Sequence, residues 1–210
     1  LLEAYREDKN TDFHTIMAEI ANIPRKSAKT INLGLFYGMG VGKLSDQLGI
    51  DPNDAKALIN QYNERVPFVR QLADKVSDHA QRKGRVRTIL GRQCRFDLWE
   101  PKSFGAHKAY PHDKAIEEYG SNIGLKRAGT YKALNRLIQG SAADQIKKAM
   151  VELHKEGIIP MIQIHDELAI SVDGSKEQQD KIIEVMENCL EMEISSKVDV
   201  AVANNWGETQ

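Results

Sequence analysis

A chain of 210 residues, 41% hydrophobic and 28% charged with a net charge of −1, is long enough for one sizeable core or two small ones and too apolar for a disordered segment. Its overall balance does not announce a nucleic-acid partner. No apolar run approaches the roughly 20 residues that span a bilayer, and no secretory or transit segment is visible. The two cysteines, Cys94 and Cys189, fit no zinc or redox spacing and point to a reducing compartment.

Residues 1–83 read as helical throughout. The chain opens at Leu1 without Met inside a helical run, LLEAYRE, and is expected to be a piece of a longer protein with more on its N-terminal side. Asp12 suits the cap of a helix through Ile16, Ala18 and Ile20. Pro24 fits the first turn of the next helix, which Gly38, Gly40 and Gly42 are expected to break. In that segment, PRKSAKTINLGLFYGMG (24–40), Arg25, Lys29, Leu33 and Tyr37 stand four apart. Each step of four advances about 40° beyond a full helical turn, so the four form one slowly rotating stripe. Two cations, an apolar group and a phenol in that order suit a ligand with a polyanionic end and a flat stacking end, as in a nucleoside triphosphate. Gly34 and Gly38 beside the aromatic end leave room for a flat group against the backbone. The same pattern also fits an ordinary amphipathic helix with two solvated cations.

Asp51-Pro52 predicts a new helix through Tyr62, and Pro67 another to about Gln81. Residues 84–98, GRVRTILGRQCRFDL, read as a short hairpin with Gly91 at its turn. Arg82, Lys83, Arg85, Arg87, Arg92 and Arg95 fall within 82–95 without an acidic residue, a patch able to track a phosphate backbone or simply to be solvated. Residues 99–122 read as loop, and 125–156 as a helix ending at Gly157 with Lys155 in its last turn. MIQIHDELAISV (161–172) reads as two strands joined by a polar tip, 175–192 as a helix and VDVAVA (198–203) as a closing strand. At the tip His165, Asp166 and Glu167 stand between apolar runs. Adjacent carboxylates repel unless a cation lies near, and a divalent metal is one such cation; an exposed polar turn is the plainer reading. A metal-binding turn, a cation stripe and a basic hairpin are together the parts of phosphoryl or nucleotidyl transfer.

RKSAKTINLGLFYG resembles the fingers helix of family A DNA polymerases, the group of bacterial repair polymerases and many phage replicases. IHDEL resembles that family's palm motif, NRLIQGSAAD (135–144) its minor-groove helix, DFH (12–14) the Asp–apolar–His element before the fingers helix, and TILGRQCRF its basic hairpin. The motifs run in family order over nearly the whole chain, and TYKALNRLIQGSAAD with 99–130 looks most like phage members. The resemblance implies an α+β right-hand fragment: mostly helical fingers and part of an antiparallel palm sheet. The division it implies is fingers helices in 1–83 with the nucleotide helix at 24–38, a basic hairpin and irregular connection in 84–124, and a C-terminal palm in 125–210 with the catalytic hairpin at 161–172. Arg25 and Lys29 would grip the triphosphate beside His14, Leu33 would pack on the sugar, and Tyr37 would frame the nascent base pair. Asp166 would bind two magnesium ions with Glu167 as a supporting carboxylate. Asn135 and Gln139 would test base-pair geometry in the minor groove, where the acceptor pattern is degenerate. His165 would lie near the primer end, and Arg85, Arg87 and Arg92 would contact DNA. The implied partners are primer–template DNA and dNTPs, with no membrane, and the implied state is a monomer in the cytoplasm, the host's if the source is a phage.

Three departures from the family pattern matter. Leu33 stands where bacterial members have Phe and some phage members Tyr, so altered discrimination at the sugar 3′ position is expected; dideoxynucleotide incorporation before and after Leu33→Tyr tests it. Tyr131 stands where bacterial members carry an Arg near the primer, and Arg127, Lys132 or Arg136 are candidates to compensate. The family's other palm Asp, in a motif of the type Asp-Tyr-Ser-Gln-Ile-Glu, is expected before Leu1, so residues 1–210 alone are expected to be silent. Three other classes come into question. A single-subunit RNA polymerase has a related fingers helix, but Gln139-Gly140 and His165-Asp166-Glu167 argue for the DNA family. A non-catalytic nucleic-acid-binding module leaves the stripe and the carboxylates unexplained, and a metal-dependent hydrolase lacks a second cluster of acids and histidines.

Overall fold

The computed structural model describes residues 2–8, 10–36, 39–103, 105–194 and 196–209. It is an α+β fold that divides into two compact units, residues 12–140 and residues 1–11 with 141–210.

The larger unit begins with five helices: α2 (Phe13–Ala21), α3 (Arg25–Phe36), α4 (Val41–Leu48), α5 (Pro52–Arg65) and α6 (Pro67–Lys83), following α1 (Leu2–Glu7) of the other unit. Their starts obey local chemistry. Asp12 accepts the His14 N–H and Asp51 the Asn53 N–H as N-caps, and Pro52 and Pro67 stand at first positions where a missing N–H costs nothing. Gly40 caps α4, but Gly42 lies inside that helix rather than breaking the chain, because one helical glycine costs only about 1 kcal/mol and packing offsets it. Met17, Ala21, Ile31, Leu44, Ala55, Tyr62, Val66 and Val69 form the core between these helices.

Past α6, β1 (Arg85–Arg87) and β2 (Gln93–Arg95) pair antiparallel with Val86 opposite Cys94, as the hairpin reading expects. Gly84 ends α6 at φ 69°, and a Cβ there would stand 2.7 Å from the Arg127 guanidinium carbon, so only glycine fits. Val86 and Phe96 join Ala80 and Ala133 in a second core.

Residues 99–122 are not a loop. β3 (Leu98–Pro101) is the centre of a three-stranded antiparallel sheet between β4 (Tyr110–Pro111) and β5 (Leu125–Arg127), and α7 (His112–Tyr119) lies between β4 and β5 in sequence. Strands this short carry no readable alternation, and their register, Trp99 opposite both Tyr110 and Arg127, is set by distant partners. The expected helix over 125–156 accordingly loses its first turns to β5 and a 3₁₀ turn at Thr130–Lys132, and α8 runs Ala133–Lys155.

In the smaller unit β6 (Pro160–Ile164) and β7 (Glu167–Ile170) form a hairpin with Ile164 opposite Glu167, and α9 (Lys176–Asn188) is capped by Ser175 and stops short of the expected 192. Leu153, Ile158 and Ile182 make its core. Residues 198–203 alternate like a strand but are in none: among the described residues no strand ladder includes them, and alternation without a partner does not make a sheet.

Candidate functional site

Arg25, Lys29 and Leu33 are all exposed along one side of α3, while Ala28, Ile31 and Asn32 face the core, so the four-residue spacing does produce a stripe. Tyr37 lies outside the described residues. Arg25 is more than a solvated cation. Its Nε donates to Asp12 Oδ2 at 2.7 Å and to Thr15 Oγ1 at 3.2 Å, and the Thr15 hydroxyl donates to the same carboxylate oxygen at 2.6 Å. Those bonds hold the Asp12 carboxyl well below the usual carboxylate range, Thr15 first and Arg25 next. The cap of α2 thereby fixes one edge of the guanidinium and leaves its other donors toward solvent. Leu33, 40% exposed, lines a small hollow with Thr30, Gly34, Met39, Lys43 and Gln47.

His14, on the first turn of α2, is half-buried, and its Nδ1 lies 3.0 Å from Asn32 Nδ2 on α3. Asn32 Oδ1 in turn accepts the Tyr62 hydroxyl. Burial lowers the His14 pKa, Lys29 and Arg25 add to that, and Asp12 opposes it. Burial alone pushes the Tyr62 phenol up to about 12.

On the hairpin, strand alternation turns Arg85, Arg87 and Arg95 outward while Val86, Thr88 and Phe96 face in. Arg85 Nη1 donates to Gln93 Oε1 at 3.2 Å. Arg92 is used differently: its Nη2 donates to the Gly140 carbonyl of α8 at 2.8 Å and ties the hairpin to that helix. Asn135 is half-buried and Gln139 exposed, one turn apart on α8. Of the three cations considered beside Tyr131, two serve the fold. Arg127 stacks 4.5 Å over Trp99 and donates to the carbonyls of Phe96 and Gln81; Arg136 lies 4.8 Å over Phe96 and donates to the Arg95 carbonyl. Lys132 sits 5.3 Å over the exposed Tyr131 ring.

In the smaller unit His165 and Asp166 make the two-residue turn of the β6–β7 hairpin, with His165 left-handed at φ 52° and its carbonyl accepting Gln163 Nε2 at 2.6 Å. A non-glycine residue held there carries strain of about 1 kcal/mol or more. Asp166 is exposed, with no hydrogen bond or ion pair among the described residues. Glu167 starts β7 and accepts the Trp206 indole N–H at 3.0 Å, so the two neighbouring carboxylates are not used alike. An open groove of about 1030 Å³ runs past both, between the hairpin, α8, α9 and residues 196–206. Among the described residues no three of His, Cys, Asp and Glu come together.

Comparison with known proteins decides what these pieces belong to. The family described as DNA polymerase family A matches residues 1–208. This chain belongs to that family. A DNA-directed DNA polymerase of Pseudomonas phage M6 is 35% identical over 99% of this chain and 33% of its own length. The thermostable DNA polymerase I of Thermus filiformis is 31% identical over 89% of this chain and 21% of its own length. The polymerase domain of Pol1 from M. smegmatis, solved with DNA primer–template and dNTP, superposes with a TM-score of 0.69 at 29% identity, over 93% of this chain and 34% of that one. The chain thus spans a third or less of the curated relatives it matches. No helix among the described residues is long and apolar enough to cross a membrane.

Within this family A chain, four residues with a hand in the α3 surface escaped the sequence reading as such: Thr15, Asn32 and Tyr62, and Asp12 beyond its capping role. A buried Asn in an otherwise apolar helix face was the one available signal for Asn32, since such an amide is costly without partners. Thr15 and Tyr62 carried none.

Proposed function

We propose that the polymerase containing these residues extends a DNA primer by template-directed nucleotidyl transfer from dNTPs. The observation that carries this is the exposed Arg25–Lys29–Leu33 stripe with Arg25 held at one edge by Asp12 and Thr15, in a chain of the DNA polymerase family. Arg25, Lys29 and His14 bind the triphosphate; Leu33 packs against the sugar and sets discrimination at its 3′ position; Tyr37 frames the base. Arg85 and Arg87 hold the DNA backbone with Arg92 bracing the hairpin, Asn135 and Gln139 read the minor groove, and His165 stands near the primer end. The fingers would then comprise the helices of 1–83 and the palm 125–210, with 84–124 between them. The phage relative supports a replicative, phage-type enzyme; a monomer working in the host cytoplasm belongs to the same proposal.

Asp166 is the side chain that would hold a divalent cation, magnesium: a hard oxygen donor, exposed, on a strained turn. Glu167, engaged by Trp206, supports that turn and does not complete a donor set with it. When bound, such ions activate the primer hydroxyl and neutralise phosphate charge. One such carboxylate does not make a two-ion site, so residues 1–210 alone are proposed to be silent.

The test uses the full polymerase. Asp166→Asn is expected to abolish primer extension while primer–template affinity stays within about twofold. Lys29→Ala is expected to raise KM for dNTP roughly tenfold or more, as loss of a charge-assisted bond does, again with DNA affinity kept. Equal losses in DNA binding and incorporation, or extension by Asp166→Asn, would sink the assignment.

A further inference from the structure

Asparagine is a poor choice for the middle of a helix, and a buried amide is costly unless both its ends are bonded. Asn32 is fully buried in α3, and so is Tyr62 in α5, whose hydroxyl also needs a partner. The two meet each other, and the far end of the amide meets the His14 ring on α2.

The structure places the Asn32 oxygen on the Tyr62 hydroxyl and the Asn32 nitrogen on the His14 ring, and that placement gives each group its role. The Asn32 oxygen accepts only, and it takes the Tyr62 O–H. That turns the Asn32 amide N–H toward His14 Nδ1, 3.0 Å away, where an N–H meets a lone pair. A ring nitrogen that accepts carries no proton, so a neutral imidazole there must carry its proton on Nε2. A protonated ring, or one with its hydrogen on Nδ1, would set two N–H groups against each other. Burial and the cations Lys29 and Arg25 favour the neutral ring, with Asp12 the opposing charge.

We infer that Tyr62 and Asn32 are positioning residues that hold His14 as the neutral Nε2–H tautomer, a hydrogen-bond donor to a phosphate oxygen of the incoming nucleotide. This rests on the triphosphate reading of the α3 surface and deepens it: Arg25 and Lys29 supply the charge, and His14 supplies a directional donor that adds none. An anion is recognised by a donor; the opposite tautomer would present an acceptor lone pair and repel it. The orientation of the ring is thus set from α5, 48 residues from His14 in sequence, through a side chain that itself never touches the ligand.

The test is made in the full polymerase with histidine labelled by ¹⁵N, assigning His14 by comparison with His14→Gln. At neutral pH the His14 Nε2 signal is expected to be pyrrole-like and Nδ1 pyridine-like. Tyr62→Phe removes one oxygen and keeps the ring volume; it is expected to free the amide to turn, mix the two tautomers and raise KM for dNTP roughly three- to tenfold, with kcat and DNA affinity nearly unchanged. Asn32→Asp places an acceptor against Nδ1 and is expected to convert that nitrogen to the pyrrole type, a readout that survives even where activity is lost. A wild-type His14 protonated on Nδ1, or a tautomer unmoved by both substitutions, overturns the relay. A relay that behaves as expected while KM for dNTP stays constant in Tyr62→Phe supports the relay and overturns the nucleotide role given to His14.

Discussion

Replacing Gly140 by alanine probes how the basic hairpin is seated on α8. In the middle of a helix alanine is favoured over glycine by about 1 kcal/mol. Here the added Cβ would stand 2.7 Å from Thr88 Cγ2, far inside the roughly 3.5–4.0 Å separation of ordinary non-bonded carbons. Thr88 cannot step aside. It is 5% exposed, its Oγ1 accepts the Arg92 N–H at 3.0 Å, its own N–H donates to the Arg92 carbonyl at 2.9 Å, and Arg92 is bonded onward to the Gly140 carbonyl. Overpacking of this kind costs about 1–3 kcal/mol, so Gly140→Ala is expected to destabilise by about 0–2 kcal/mol after the helix gain is subtracted. Thr88→Ser separates the two effects, because it keeps the hydroxyl and deletes only the offending methyl. In that background Gly140→Ala is expected to stabilise by about 1 kcal/mol, and the four-variant cycle in urea to give a coupling of about 1–3 kcal/mol. Equal stabilisation by alanine in both backgrounds, with coupling below about 0.3 kcal/mol, would refute the close seating of the hairpin on α8.

Neutralising Arg85 and Arg87 together is expected to weaken primer–template binding and to flatten its dependence on log salt by about one for each phosphate that the hairpin no longer neutralises, with KM for dNTP little changed; an unaltered salt slope would remove these residues from the DNA surface. Alkaline stability reports on Tyr62. Its phenol ionises near pH 10 when unfolded and is pushed up to about 12 in the fold, so above pH 10 the unfolded chain releases a proton that the folded chain keeps. The stabilisation is whole below pH 10 and is lost as pH rises toward about 12. Urea midpoints of the wild type are expected to fall more steeply over that window than those of Tyr62→Phe, and parallel curves would contradict the burial argument.

Helix starts, the hairpin and the α3 stripe were legible because each depends on residues close in the chain. Asp12, Asp51 and Pro67 act on the next turn, Gly91 on its own φ, and a spacing of four on one helix face. The same locality misled at 99–132 and 198–203. There the choice between loop, strand and helix turns on whether a distant strand is present to pair, as it is for β3 and β5 and is not, among the described residues, for Val198–Ala203.

The order of motifs and the residue types in them carried the family and the chemical class on sequence grounds alone, since a cation stripe or an Asp in a turn keeps its chemistry wherever the chain places it. Which partner each side chain takes was decided by contacts across the sequence. Arg92, one of six cations in a single patch, bonds to α8 from 48 residues away; Asn32 meets His14 across 18 residues and Tyr62 meets Asn32 across 30; Glu167 is taken by Trp206 across 39. Hydrogen bonds depend on distance and angle in space, and no period or spacing along the chain encodes which of several chemically equal groups will meet.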